Sequence, residues 1–208
     1  MSHGHQWSPY QMNGGNCLAI AGKDFSLICA DTRQSVGFNI LSRDEKKLHK
    51  LTTKTVVGCC GMQADSIQLT RNLGIQLELY KRDHDKECEP KSIAQLLAIM
   101  LYQKRFFPYY VWNIVAGIDK LGGAVFSYDP VGNFERVRYV ASGSAQTLLQ
   151  PFLDQQIGFK HQQEPHPEGK IVDPPYVSKE KAIAVAKDAF IAATERDIET
   201  GDGYFLLM

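Results

Sequence analysis

The sequence predicts a layered α+β domain in which two antiparallel sheets lie face to face, with a pair of helices outside each sheet. The first observation is that strand-like runs and helix-like periodicity occur in separate blocks: strands, two helices, strands, two helices and a last strand. A doubly wound parallel sheet would instead alternate single strands with single helices. The second observation is that the links inside each strand block are short, which favours antiparallel pairing.

Length and composition are those of one folded domain. The chain has 208 residues, of which 44% are hydrophobic and 22% are charged, and this is ordinary globular composition. Its 23 basic and 23 acidic residues leave a formal net charge of zero, so it has no overall electrostatic attraction for nucleic acid or an anionic membrane. Proteins near neutrality associate readily, which favours assembly with partners. No apolar run is long enough to predict a membrane-spanning helix.

Apolar runs and turn residues place the strands. Two apolar runs joined by the polar turn Lys23-Asp24 predict a hairpin. The charged stretch 43–50, which contains Lys46 and Lys47, is typical of a solvated edge. The predicted strands are 16–22, 25–30, 38–41, 54–60, 109–117, 123–128, 134–141 and 203–208.

Apolar residues at helical spacing place the helices. Leu69, Leu73 and Leu77 recur every four residues and make one apolar face of the first helix. The second helix begins near a proline, which is favoured at a first helical position. The predicted helices are 63–80, a second from Pro90 or Ser92 to a point before Pro108, 144–153 and 178–196.

The chain divides into a short arm and one domain. Residues 1–14 are polar apart from a few side chains such as Trp7 and Tyr10, and we predict an N-terminal arm or the remnant of a propeptide. Residues 15–208 are predicted to form a single domain. Within it, residues 161–176 contain four prolines and are predicted to be a surface insertion, because the one helix that follows is too little for a second domain.

The usual signatures of metal, cofactor and nucleophile sites are missing from the sequence. There is no phosphate-binding glycine loop, no dinucleotide fingerprint and no zinc-protease or serine-hydrolase motif, so we expect neither a cofactor nor a metal. The five cysteines are odd in number and include no pair separated by two residues. We therefore expect reduced thiols in the core of a cytosolic or nuclear protein.

Residues 105–112 form an aromatic run with a proline at a predicted corner between helix and strand. One interpretation is a corner that packs into the core. The other is a contact with another subunit, because clustered Tyr, Trp and Arg side chains are what protein interfaces favour. The candidate interface residues are Arg105, Phe106, Phe107, Tyr109, Tyr110 and Trp112.

Short motifs along the chain carry a family resemblance; they are Asn13–Gly22, Ala30–Arg33, Gly58–Gly61, Arg105–Val111, Tyr128–Gly132, Ser142–Ser144 and Glu195–Asp197. Together they resemble the β subunits of the eukaryotic 20S proteasome over about residues 9–208. The segments Arg105–Val111 and Tyr128–Gly132 resemble a non-catalytic member at the sixth position of the β ring. The resemblance implies the four-layer αββα sandwich of N-terminal-nucleophile hydrolases, with further strands beyond Met208.

The resemblance also implies which residues occupy the active-site positions of the family. In active members, processing frees an N-terminal threonine whose hydroxyl attacks the peptide carbonyl. This threonine position falls on Gly15, or on Asn16 after a one-residue slip, and neither side chain can attack a carbonyl. We therefore expect no catalysis by this chain. The other positions fall on Asp31, Lys47 (with Lys50 as the competing choice), Ser142, Asp197 and, in place of a serine, Thr200. We expect Asp31, Lys47 and Asp197 to persist as a buried charge cluster that holds the strands together.

Three functions are compatible with these observations. The first is a non-catalytic structural subunit that contributes to assembly of the β ring and to the chamber for ATP- and ubiquitin-dependent protein degradation. Its implied partners are β subunits of the same and the opposite ring and α-ring subunits, with no nucleic acid and no membrane, in cytoplasm and nucleus.

The second function is an N-terminal-nucleophile hydrolase that uses Cys17 after autoprocessing behind Asn16. It is disfavoured because Cys17 would lie roughly 6–7 Å along the strand from the expected nucleophile position. The third function is a free-standing binding module with the aromatic run as its binding patch.

Overall fold

Two antiparallel sheets form the middle of the molecule. The computed structural model of the chain describes residues 8–160 and 174–208. The strands are β1 (Asn16–Ala21), β2 (Ser26–Asp31), β3 (Gln34–Val36), β4 (Asn39–Ser42), β5 (Leu48–Thr52), β6 (Thr55–Gly61), β7 (Val111–Asp119), β8 (Gly122–Tyr128), β9 (Phe134–Val137), β10 (Tyr139–Gly143) and β11 (Tyr204–Leu207). The helices are α1 (Gln63–His84), α2 (Pro90–Tyr102), α3 (Gln146–Gln156) and α4 (Lys179–Thr194).

The first sheet has the strand order β10-β1-β2-β11, and the second has the order β5-β6-β7-β8-β9. Every neighbouring pair in both sheets is antiparallel. The short hairpin of β3 and β4 forms a separate two-stranded sheet. The antiparallel arrangement predicted from the short links is therefore confirmed.

Apolar side chains of both sheets fill the space between them. Cys17, Ala19 and Ile28 of the first sheet pack with Ile114 and Val125 of the second. Every residue of β1 and β2 is buried, because helices cover the outer face of the first sheet and the second sheet covers its inner face. That double burial explains why both strands have continuous apolar sequences instead of the alternation of a half-exposed strand.

One pair of helices covers each sheet. Leu69, Leu73 and Leu77 of α1 pack on the second sheet together with the apolar face of α2. Leu149 of α3 and Phe190 of α4 pack on the first sheet. The result is the four-layer αββα sandwich that the sequence predicts. No helix within residues 8–160 and 174–208 is long and apolar enough to cross a membrane.

One predicted strand proves to be two. Residues 134–141 are predicted as a single strand, but the chain leaves the second sheet at the end of β9 and enters the first sheet as β10. The change occurs at Arg138, whose carbonyl oxygen accepts a hydrogen bond from the backbone N–H of Ala21 at 2.7 Å. Both segments are extended, so the local pattern contains no sign that they belong to different sheets.

The charged stretch 43–50 also differs from its prediction. It contains the beginning of β5, which pairs with β6, and the side chain of Lys47 is only 7% exposed. Lys46 and Lys50 are exposed, as a solvated edge requires. Part of the predicted arm, including Trp7, and most of the proline-rich insertion lie outside the described residues.

Candidate functional site

The candidate site lies where β1 begins, at one end of the first sheet. β1 pairs with β2 so that Cys17 is opposite Ala30, and the next position along brings Asn16 close to Asp31. The backbone N–H of Asn16 donates to Oδ1 of Asp31 at 2.7 Å. The register of this hairpin thus brings together the first residue of β1 and the carboxylate at the end of β2.

Asp31 and Lys47 form a buried ion pair. Nζ of Lys47 lies 2.7 Å from Oδ1 of Asp31, and the exposed fractions of the two side chains are 7% for Lys47 and 1% for Asp31. The ammonium also donates to the carbonyl oxygens of Asp31 at 3.2 Å and of Arg33 at 2.6 Å, so each of its three donors has an acceptor. Burial raises the pKa of Asp31, and the charge of Lys47 opposes that rise. Of the two candidate lysines, the structure places Lys47 and not Lys50 beside Asp31.

The ammonium of Lys47 occupies the space beside residue 15. A Cβ atom on Gly15 would lie 2.3 Å from Nζ and 2.4 Å from Cε of Lys47, much closer than atoms in proteins approach. Gly15 has φ +80° and Gly14 before it has φ +67°, a left-handed conformation that favours glycine. The predicted nucleophile position is therefore closed to a side chain by both backbone conformation and packing.

A second network lies on the other side of Asn16, which is fully buried. The side-chain nitrogen of Asn16 donates to Oγ of Ser144 at 3.1 Å and to Oγ1 of Thr200. Its side-chain oxygen accepts from the backbone N–H of Ala145 at 2.7 Å. The hydroxyl of Ser144 donates to Oδ2 of Asp197 at 2.6 Å, and the hydroxyl of Thr200 donates to the same oxygen. Asn16 thus joins the ion pair to a hydroxyl–carboxylate network with all its polar groups satisfied.

Asp197 does not join the ion pair of Asp31 and Lys47, as the predicted charge cluster requires. No hydrogen bond or ion pair within the described residues connects it to Lys47. The predicted cluster of three charges is instead an ion pair and a separate hydroxyl network. Burial tends to raise the pKa of Asp197, but hydrogen bonds from Ser144 and its neighbours outweigh burial, and the pKa is lowered. Ser142, the predicted serine, lies in β10, and Ser144 two residues later supplies the hydroxyl.

Ser144 has no predicted role in the site, and Asn16, the alternative nucleophile position, has a structural role there that was not predicted. Both lie inside motifs that carry the family resemblance, which is the signal that could have drawn attention to them. Their contact joins residues 128 positions apart, and nothing in either local sequence predicts such a contact.

Cys17 has neither the exposure nor the ionisation that a nucleophile needs. Its side chain is fully buried in the core between the sheets. A Cβ atom on Gly58 would lie 2.3 Å from the sulfur, which shows how tightly the thiol is packed. Burial raises the pKa of Cys17 well above its ordinary value. Since the thiolate is the reactive form, the geometry opposes the hydrolase interpretation.

The described part of the arm is bound to the domain through Asn13. Its backbone N–H donates to the carbonyl of Gly61 at 3.1 Å, and its carbonyl accepts from the N–H of Ser35 at 3.0 Å. Its side-chain oxygen accepts from the N–H of Gln63 at 2.9 Å, which satisfies one free donor at the beginning of α1. The arm therefore lies along the site between β3 and the end of β6.

The aromatic run is divided between surface and interior. Phe106 is 99% exposed and Phe107 is 64% exposed, and Arg105 is also exposed. Tyr109 packs against the core under α1 and α2, whereas Trp112 is half-buried in β7. The interpretation as a corner packed into the core therefore fits Tyr109 and does not fit Phe106 or Phe107.

Tyr10 of the arm packs on the exposed part of this run. Its ring centroid is 5.6 Å from that of Phe107 and 4.8 Å from that of Tyr110. Its hydroxyl donates to the carbonyl of Pro108 at 3.1 Å. The arm and the corner consequently form one continuous aromatic surface.

No group of three or more His, Cys, Asp or Glu side chains within residues 8–160 and 174–208 is arranged to hold a metal ion. All five cysteines are buried free thiols.

Comparisons with known proteins point to a single family. The family model described as proteasome subunit matches residues 12–206. A proteasome subunit beta type-1-B of Carassius auratus is 48% identical over 199 residues, which cover 95% of this chain and 81% of that protein. A proteasome subunit beta type-1 of Arabidopsis thaliana is 47% identical over 202 residues, covering 94% and 87% of the two chains. A proteasome subunit beta type-6 of Saccharomyces cerevisiae is 44% identical over 207 residues, covering 98% and 86%.

Proposed function

The chain belongs to the proteasome subunit family, and we propose that it is a non-catalytic β subunit at the sixth position of the β ring of the 20S core. Relatives named proteasome subunit beta type-1 support a β subunit. The resemblance of Arg105–Val111 and Tyr128–Gly132 supports the sixth position. In that role the chain contributes wall and neighbour contacts to a chamber in which other subunits cut proteins. It takes part in ATP- and ubiquitin-dependent degradation through assembly and without chemistry of its own.

The observation that carries the proposal is the closed position at residue 15. An N-terminal nucleophile needs a side chain there and a general base next to it. Gly15 has no side chain, and the ammonium of Lys47 occupies the adjacent space, with each donor already used. The neighbouring Cys17 is a buried, protonated thiol. The retained charges therefore support the fold and not a reaction.

Membership of the family means assembly with other proteasome subunits. We further propose that the corner made by Phe106, Phe107 and Tyr110 contacts one of them, whether a β subunit of either ring or an α-ring subunit. Phe106 is almost completely exposed, and aromatic side chains with a nearby arginine are enriched at interface hot spots. Burying such a ring against a partner would contribute roughly 1.5–3 kcal/mol to the free energy of association.

The location we propose is cytoplasm and nucleus. Five free, buried thiols in one chain support a reducing compartment, since secreted domains of this size commonly pair their cysteines.

Two measurements test the non-catalytic role. They are native mass spectrometry of the particle that purifies with this chain and the intact mass of the chain itself. We expect a complex with other proteasome subunits and no mature form that begins at Thr, Ser or Cys. The variant Cys17→Ala tests the alternative in which Cys17 is the nucleophile. It should leave the peptidase activity of the particle unchanged. A free monomer, a chain that begins at Cys17, or activity lost with this variant would overturn the proposal.

A pair of exposed variants tests the contact surface. Phe106→Ser should change the free energy of unfolding of the chain by no more than about 0.5 kcal/mol, because the ring touches almost nothing in the chain itself. The same change should reduce incorporation into the particle. Leu121→Ser is the control, since Leu121 is 82% exposed in the turn between β7 and β8 and lies outside the corner. Equal incorporation of both variants would contradict the assignment of this surface.

A further inference from the structure

A cleft of about 240 Å³ lies beside the arm, on the side of Gly15 that faces Trp112 and Glu199. We call it the Glu199 cleft. Its walls include Met12, Gly14, Trp112, Ser144, Gln146 and Glu199. Met12 is 41% exposed, so the cleft opens to the surface. The proposed structural role uses none of these side chains except Ser144.

Glu199 brings an uncompensated negative charge to this cleft. Within the described parts of the chain its carboxylate accepts no hydrogen bond and forms no ion pair. Burial raises the pKa of Glu199, and the charge of Asp197 raises it further. Asp197, in contrast, receives hydrogen bonds from the hydroxyls of Ser144 and Thr200. A partly buried carboxylate next to a second carboxylate favours a cation in the space before it.

The other walls suit an organic cation. Trp112 supplies an indole, the aromatic group that attracts cations most strongly through its π face. Ser144 and Gln146 supply polar atoms. The three-ligand arrangement that a metal ion needs is absent from the described residues, so a metal does not explain the carboxylate.

Gly14 keeps the carboxylate in place and the cleft open. A Cβ atom on Gly14 would lie 2.7 Å from Oε2 of Glu199, so the carboxylate rests directly against the backbone of the arm. Gly14 also has φ +67°, which a larger residue adopts only at a cost. The acidic group is therefore positioned by the fold and does not extend freely into solvent.

We propose that the Glu199 cleft binds a guanidinium or alkylammonium group, with the carboxylate of Glu199 as its counter-ion and the indole of Trp112 as its wall. The volume suits the end of an arginine or lysine side chain, or a small free amine of the same chemistry. A carboxylate–guanidinium hydrogen bond is among the stronger polar contacts in proteins. This binding site is independent of the proposed structural role, which would survive its failure.

The test uses butylguanidinium as the probe and neutral butylurea, which has the same shape, as its comparison. Saturation-transfer NMR on the chain gives the dissociation constant of each. We expect butylguanidinium to bind and butylurea to bind at least about tenfold more weakly, since the charged probe makes the stronger hydrogen bond to the carboxylate. Equal binding of the two probes would overturn the proposal.

Matched variants locate the site. Glu199→Gln should weaken butylguanidinium binding about tenfold, whereas Glu195→Gln, at the exposed end of α4, should leave it unchanged. Trp112→Leu should weaken it several-fold through loss of the cation–π contact. A thermal melt of each variant shows that the fold is retained. If Glu199→Gln folds and binds as the parent chain does, the cleft is not the site.

The same titration on the assembled particle identifies the source of the cation. Binding that persists in the particle assigns the cleft to a free small cation. Binding to the chain that disappears on assembly, and returns when a basic side chain of the adjacent subunit is removed, assigns it to that side chain. Binding to neither form would overturn the proposal.

Discussion

A Cβ atom on Gly15 would lie 2.3 Å from Nζ of Lys47. Burial of the lysine therefore depends on the absence of a side chain at residue 15. The ammonium reaches Asp31 through space that a threonine side chain would fill. The absence of a side chain at residue 15 does not leave an empty space in this chain. It leaves an ion pair that ties β2 to the beginning of β5.

Removal of the lysine charge should destabilise the chain severely. In Lys47→Met, the carboxylate of Asp31 would remain buried without a partner, and we expect a loss of about 3–5 kcal/mol in the free energy of unfolding. Chemical denaturation measures it. Lys50→Met, at an exposed position, should change stability by less than about 0.5 kcal/mol. Adding Asp31→Asn to Lys47→Met should recover part of the loss. A loss below about 1 kcal/mol in the single variant would show that the ion pair does not hold these strands.

Two glycine variants separate backbone strain from packing. Gly15 and Gly37 both have left-handed backbone, at φ +80° and φ +57°. A Cβ atom on Gly37 would meet nothing within 4 Å, so Gly37→Ala should cost only about 1–2 kcal/mol. Gly15→Ala should cost at least about 2 kcal/mol more, because the new methyl group displaces Lys47 from Asp31. Equal losses in thermal denaturation would contradict the account of residue 15.

The hydroxyl network should weaken in acid. Burial raises the pKa of Asp197, but hydrogen bonds outweigh burial and lower this pKa below its ordinary value of 3.8. The stability from this carboxylate is therefore fully present above pH 4 and lost as the pH falls through the lowered pKa. The difference in unfolding free energy between the parent chain and Asp197→Asn should shrink over that range. A difference between the parent chain and Asp197→Asn that stays constant over that range would exclude this role of Asp197.

The cysteines should resist alkylation in the native chain. Burial raises the pKa of Cys29 and that of Cys59 to about 12, and it raises the pKa of Cys17 and Cys60 as well. Iodoacetamide near neutral pH should therefore label Cys88 first, since its side chain lies nearest the surface at 8% exposure. Mass spectrometry of the labelled chain gives the order. The denatured chain should react at all five positions, and rapid native labelling of Cys17 would revive the hydrolase interpretation.

The local sequence pattern was sufficient to predict most helices and strands of the fold. The leucine repeat of α1 and the apolar hairpin of β1 and β2 are short-range signals, and both elements occur where they are predicted. The change of sheet at Arg138 was not predicted, because which sheet a strand joins depends on residues far along the chain. Likewise β5 was missed, since its charged neighbours resemble a solvated edge and Lys47 is buried only by its pairing with Asp31.

The sequence by itself determined the order of the strand and helix blocks and the absence of a hydroxyl or thiol at residue 15. Both follow from residue identity and from periodicity, which are local properties, whereas the four-layer αββα arrangement was implied by the family resemblance. Only the tertiary structure decided that Lys47 closes that position, that Asp197 joins Ser144 instead of the ion pair, and that Asn16 connects the two networks. These contacts join residues as many as 184 positions apart, and their partners are selected by sheet register and burial together.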